Sequence, residues 1–217
     1  MRINYQFTPG NHSIPFDYQQ ELVRHFHRLL PENSIHDELS LYSLSWLMGG
    51  KAESGNLIFP KSAKWFISFY DDALAKEFLV QTLKIPKFPF GMRISDVQIE
   101  DTPLFGSSHR LQLASPVLAR QFDGTTIKHR IFSEPEANEV LTNTLQTKLR
   151  SVGISDNVSV KFDTDYVGAK TKLVKIKNIQ NRASMCPVII EGTPESIGFA
   201  WNVGIGHCTG SGFGAVC

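Results

Sequence analysis

The chain reads strand–helix–strand–strand–helix–strand, and then approximately the same order again. That order predicts an α+β fold of two tandem ferredoxin-like (RRM-like) βαββαβ domains. Three observations carry the prediction. Segments of period two alternate with segments of period 3.6 in both halves. Turn residues interrupt the pattern around 103–108, where it restarts, giving domains 1–106 and 107–217. The length of 217 residues suits two domains of about 100 residues each.

In "RINYQF", Ile3, Tyr5 and Phe7 share one face, a strand with one buried side. Pro15 and Asp17 open a helix with Leu22, Val23, Phe26, Leu29 and Leu30 on its apolar face, stopped by Pro31. "LSLYSLSW" reads as a strand. The turn-rich "MGGKAESGN" and a short "LIF" strand form a hairpin extension around 48–60. "KWFISFY" alternates through Trp65, Ile67 and Phe69. Asp71 or Asp72 caps a second helix, with Leu74, Phe78 and Leu79, that ends before Pro86. "FGMRISDVQIE" closes the first unit as a strand.

In the second half, "HRLQLASPVLAR" and "TTIKHRIF" read as strands. Ser133 and Glu136 form a capping box for a helix through Val140, Leu141, Leu145 and Leu149 that ends at Gly153. "VSVKFDTD" and "LVKIKNI" read as the two middle strands. A helix of about two turns starts at Pro194, and the tail ends in a short strand.

Composition excludes several classes. A net charge of +1 is not that of a generic nucleic-acid binder, so any such site must be a local patch. No apolar run approaches the roughly 18 residues of a membrane span, and the N-terminus lacks a signal-peptide core. Three scattered cysteines, Cys186, Cys208 and Cys217, fit a reduced, cytoplasmic protein. With His207 they fall short of a zinc ligand set, so no metal and no cofactor are expected.

The tail "NVGIGHCTGSGFGAVC" carries glycines at 204, 206, 210, 212 and 214 with apolar residues between them. Ordered glycine costs backbone entropy, so such a segment needs positive φ or close approach of another group. Clustered N–H groups that cradle phosphate are one reason. Tight packing against a sheet is the plainer one, and the two are compatible. The spacing is G-h-G, five residues, then G-h-G-h, where h is apolar. It is neither a dinucleotide fingerprint nor a Walker A loop, for which a lysine should follow.

This spacing resembles the C-terminal loop of the CRISPR-associated repeat-processing endoribonucleases of the RAMP superfamily. "LASPVLAR", at 113–120, resembles the Ser-Pro-Val segment that opens the second domain there. "PFDYQQELVRHFHRLL" followed by "IHDELSLYSLSW" resembles the family's first helix and second strand. The resemblance implies cleavage of precursor CRISPR RNA without metal. The ribose 2′-OH attacks the adjacent phosphate and the 5′-oxygen leaves. A base, an acid and donors to the phosphorane are needed. The implied partner is CRISPR repeat RNA. Other effector-complex subunits and a second copy of the chain are further partners it allows. A non-catalytic RNA-binding scaffold subunit is the alternative.

Histidine suits the acid and base roles, with an unperturbed pKa of about 6.5. His36, beside Asp37 and just before the second strand, resembles the family's catalytic position. His25 and His27 lie on opposite flanks of the first helix's core face, and periodicity does not choose between them. The resemblance favours His27. Several family members carry a lysine shortly after the catalytic histidine. Here Ser40 and Tyr42 stand near that place, and no lysine occurs before Lys51. The resemblance implies that Gly204, Gly206, Gly212 and Gly214 help shape an RNA-binding face. Lys128 and Arg130 in "IKHRIF", and Lys175 and Lys177 on one strand face of "KTKLVKIKN", are the basic candidates, with Arg110, Arg120, Lys161 and Arg182 weaker. Any of these can instead be an ordinary solvated or packed residue.

Overall fold

The computed structural model describes residues 1–8, 10–30, 39–85, 87–176 and 179–217. The N-terminal half contains β1 (Arg2–Phe7), β2 (Gly10–Pro15), α1 (Gln19–Leu29), β3 (Tyr42–Leu44), β4 (Lys51–Glu53), β5 (Asn56–Phe59), β6 (Lys64–Phe69), α2 (Asp72–Lys84) and β7 (Ile94–Glu100). Four of these strands form an antiparallel sheet in the order β3-β6-β1-β7, the ferredoxin-like arrangement. Ile3, Tyr5 and Phe7 alternate onto one buried face, where Tyr5 meets Phe78 of α2 edge-on. Asp71 caps α2 by accepting from the N–H groups of Ala73 and Leu74. The extension at 48–60 is the β4–β5 hairpin, joined by β2 into a small separate sheet.

The C-terminal half follows with β8 (Ser108–Leu111), β9 (Ala119–Phe122), β10 (Ile127–Arg130), α3 (Glu136–Ser151), β11 (Ser159–Phe162), β12 (Lys170–Ile176), β13 (Ile179–Met185), β14 (Val188–Glu191) and α4 (Pro194–Val203). Its main sheet runs β11-β14-β8. The tail pairs with the chain just past β8: Val216 bridges Leu113, and Gln112 and Cys217 exchange backbone hydrogen bonds. The tail thus supplies the fourth strand of the second unit. The β9–β10 and β12–β13 ribbons are separate hairpins.

Several readings of the sequence need correction. "LVKIKNI" is not a middle strand; it pairs with β13, and β14 takes the sheet position next to β8. "HRLQLASPVLAR" is two strands, because Pro116 has no N–H for a ladder. Ser133 does not cap α3. Pro135 precedes its first turn, and the Glu134 carboxylate instead accepts from the N–H of Ile131 at 2.7 Å. That bond is the main cause holding the Glu134 carboxyl below its ordinary range. β2, β13 and β14 were not foreseen.

Arg2 is also unexpected, because alternation puts it on the polar face of β1. The C-terminal half covers that face here. The guanidinium is buried between the rings of Trp201 (3.5 Å) and Phe66 (4.0 Å). It donates to Ser68 Oγ and the Val216 carbonyl, each at 2.6 Å. One side chain therefore ties the first sheet to α4 and to the tail.

Candidate active site at the seam of the two halves

The glycine tail leaves α4 through Gly204, folds back on itself, and is held by the segment that begins the second half. Gly214 N–H donates to the Pro116 carbonyl, Ala215 N–H to Ser115 Oγ, and His207 N–H to the Leu118 carbonyl, all at 2.8 Å. The Ser-Pro-Val segment and the glycine loop, far apart in sequence, are thus one structural unit. Gly204, Gly206, Gly212 and Gly214 all have positive φ. A Cβ on Gly206 would press on the Leu118 carbonyl, and one on Gly214 would overlap the Ile205 carbonyl, whereas Gly212 faces open space. Three of the four glycines named from the spacing, Gly204, Gly206 and Gly214, therefore have packing roles.

Gly210, inside the five-residue gap, is the glycine that meets the first half. A Cβ there would lie 2.7 Å from Ser40 Oγ and 2.8 Å from Tyr42 Oη. Two hydroxyls and a loop backbone converge where β3 meets the tail. Trp46 Nε1 donates to the Gly212 carbonyl at 2.9 Å, and Ser43 Oγ to the Asn202 carbonyl at 3.0 Å, fixing the strand against the loop. The Tyr42 ring is buried against Phe26 at 5.0 Å. Burial pushes its phenol up to about 12, offset in part by a hydrogen bond with Ser40. At neutral pH it is a hydrogen-bond donor, not a base.

His27 is half-buried on α1, edge-on to Phe26 at 5.3 Å, so it and Tyr42 flank one aromatic ring. His25 is buried on Phe88 at 4.3 Å. Burial, with Arg28 nearby, pushes it down to about 4. His25 is therefore a neutral packing residue at neutral pH. His36 falls within residues 31–38, outside the described residues.

The basic candidates divide. Lys128 pairs with Asp123 at 3.0 Å, and Arg130 with Glu134 at 3.2 Å and Gln121 at 2.6 Å. Arg110 pairs with Asp163 and Lys161 with Glu191. Lys175 is exposed on β12, opposite Gln180, and Lys177 lies outside the described residues. Sequence reading named Arg120 and Arg182 only as weaker candidates and missed the two histidines they meet beside the loop. His207 Nδ1 accepts from Arg120 N–H at 3.3 Å, and His129 Nδ1 accepts from Arg182 N–H at 3.2 Å. Burial and then Arg120 lower both imidazoles. Arg120 faces His129 across the β9–β10 ladder and donates to Asn181 Oδ1 at 2.8 Å. The only sequence signal was the alternation of basic residues on paired strands, with a pairing that sequence did not reveal.

Among the described residues, no group of three or more His, Cys, Asp or Glu is placed to hold a metal ion. No helix there is long and apolar enough to cross a membrane.

Two ferredoxin-like units meet at a glycine-rich C-terminal loop, a two-unit α+β protein with its candidate site at the seam. Residues 100–217 match the family described as "CRISPR associated protein Cas6, C-terminal". That match spans more than half of the chain, which therefore belongs to the Cas6 family of CRISPR-associated proteins. No curated protein is significantly similar in sequence. Among solved structures, the chain is similar to "CRISPR associated protein Cas6", with a TM-score of 0.84 at 19% identity over 100% of this chain and 98% of that one. It is also similar to "An RAMP protein binding different RNA substrates", at 0.82 and 20% over 100% and 98%. A Cas6-related protein from Pyrococcus furiosus gives 0.83 and 19% over 100% and 97%. At these identities the likeness is one of fold.

Proposed function

We propose that this chain is a metal-independent endoribonuclease that cuts CRISPR repeat RNA in the maturation of CRISPR RNA. The 2′-oxygen attacks the adjacent phosphorus as a base takes its proton. The P–O5′ bond breaks as an acid protonates the leaving oxygen. The products are a 2′,3′-cyclic phosphate and a 5′-OH. The observation that carries the reading is the meeting of Tyr42 Oη and Ser40 Oγ with Gly210 at the seam. His36 stands four residues ahead of Ser40 in the sequence and is the base or acid in this reading. His27 is its partner. Tyr42 and Ser40 donate to the non-bridging phosphate oxygens. Residues 1–106 supply the acid–base groups and these two hydroxyls, and residues 107–217 supply the loop and the basic phosphate contacts. Arg120, Arg182 and Lys175, themselves named from sequence, make those contacts with the other basic positions.

The test is cleavage of labelled repeat RNA from the same genome in excess EDTA, beside His36→Ala and a substrate with 2′-deoxy at the scissile nucleotide. Wild-type cleavage lost in both controls supports the reading. Cleavage that survives His36→Ala moves the acid–base work to α1. A second reading, a non-catalytic RNA-binding subunit of an effector complex, is favoured by the absence of any lysine between His36 and Lys51. Tight binding without cleavage in the same assay selects it.

A further inference from the structure

Lys148, on α3, is buried, and among the described residues no carboxylate is in its hydrogen-bond set. Its Nζ donates to the Val203 carbonyl at 3.2 Å and to Thr209 Oγ1 at 2.9 Å. Val203 is the last residue of α4, immediately before Gly204. Thr209 begins the short turn that contains Gly210. One ammonium therefore clamps both ends of residues 204–208, the span that leaves the helix and returns to the seam. Cys208 in that span adopts φ 58, a conformation unusual for a residue with a side chain. Such strain persists only where the surroundings hold it. Burial of an ammonium is costly, and here it pushes Lys148 down to about 7. A methionine or leucine would fill an apolar site at no such cost. Thr209, one of its two acceptors, directly precedes Gly210, which lies against Ser40 and Tyr42.

We propose that Lys148 is a positioning residue that fixes the glycine loop against β3 by joining Val203 and Thr209, and so aligns the site without touching RNA. The inference rests on the endoribonuclease reading for its effect on rate, but the clamp itself is measurable without RNA. Lys148→Met removes the donor and Thr209→Val removes one acceptor at nearly constant shape. Thr209→Ser keeps the hydroxyl and serves as the conservative rescue.

Hydrogen exchange on the free protein reads the clamp. In Lys148→Met and Thr209→Val, the amides of Ile205 and His207 are expected to exchange about tenfold faster or more, with Ile67 in β6 unchanged and Thr209→Ser like wild type. Single-turnover cleavage reads the consequence. The maximal rate is expected to fall by about 10- to 100-fold while RNA affinity changes less than about threefold. Thr209→Val indistinguishable from wild type in exchange overturns the clamp, even if Lys148→Met fails to fold. Faster exchange with an unchanged cleavage rate overturns the positioning role. A loss of affinity equal to the loss of rate overturns it too, since it indicates a direct phosphate contact. If wild type cuts no RNA, the endoribonuclease reading fails while exchange still decides whether the clamp exists.

Discussion

The two halves share one topology but close it differently. The N-terminal unit ends in β7, a seven-residue strand paired along β1. The C-terminal unit ends in a glycine tail that first folds back on itself and pairs only at its last residues. The first half is packed with aromatic side chains, Tyr5, Phe7, Phe26, Trp65, Phe69 and Phe78, around regular elements. The second is packed around α4, whose residues Ser196–Val203 are all buried, and around a backbone that approaches other backbone closely. Side-chain cores accept volume-conserving swaps, whereas close backbone-to-backbone contact leaves no room for a Cβ. The same topology thus yields a tolerant scaffold on one side and an exacting loop on the other, and the candidate site lies where they meet.

The largest effect is expected for Gly214→Ala. Its Cβ would overlap the Ile205 carbonyl at a residue of φ 63. The expected loss exceeds about 4 kcal/mol in urea unfolding, or the second half fails to fold. Gly55→Ala in the β4–β5 turn also has positive φ but open space, so only about 1 kcal/mol is expected. Equal costs at the two positions contradict the contrast.

Arg2→Leu tests the join between the halves. It removes the donor to Val216 and the cation between Trp201 and Phe66. A loss of about 3 kcal/mol is expected. Unfolding is expected to separate into two transitions in calorimetry, one for each half. A single transition at the wild-type midpoint contradicts this role.

His25 makes the first half's core sensitive to pH. Its folded-state pKa of about 4 lies below the ordinary value, so between pH 6.5 and 4 the unfolded chain binds the extra proton. The stability from the neutral imidazole is fully present above about pH 6.5 and is lost as pH falls toward 4. His25→Phe is expected to flatten this part of the stability–pH profile, by about 1–3 kcal/mol between those limits. Superimposable wild-type and variant profiles contradict the burial argument. The smallest effect is expected at the exposed Lys175. Lys175→Ala should weaken RNA binding severalfold and reduce the salt slope by about 0.7 if it contacts a single-stranded phosphate. An unchanged slope removes Lys175 from the interface.

Much of the fold was legible in the sequence because its signals are local. Alternation in "RINYQF" and "KWFISFY", the Asp71 cap and Pro194 at a helix start each act within a few residues. The glycine spacing marked the loop. Other features depend on contacts remote in sequence. α4 is buried all round, so it shows no strong apolar stripe. The exchange of β12 for β14 in the second sheet depends on pairing, which short apolar runs do not specify. Arg2 and Lys148 are charged residues buried by the opposite half and by the loop, and composition reads both as surface. Ser40 and Tyr42 were named as substitutes for a missing lysine. Their meeting with Gly210 was not visible, since it joins residues about 170 apart in the chain.

We propose that this seam carries out 2′-OH attack on repeat RNA. Mass spectrometry of the upstream fragment, produced by wild type in excess EDTA, tests it most directly. A 2′,3′-cyclic phosphate on that fragment, with a 5′-OH on the downstream one, is the expected result. A 3′-OH upstream with a 5′-phosphate downstream, or RNA that is bound but never cut, contradicts it.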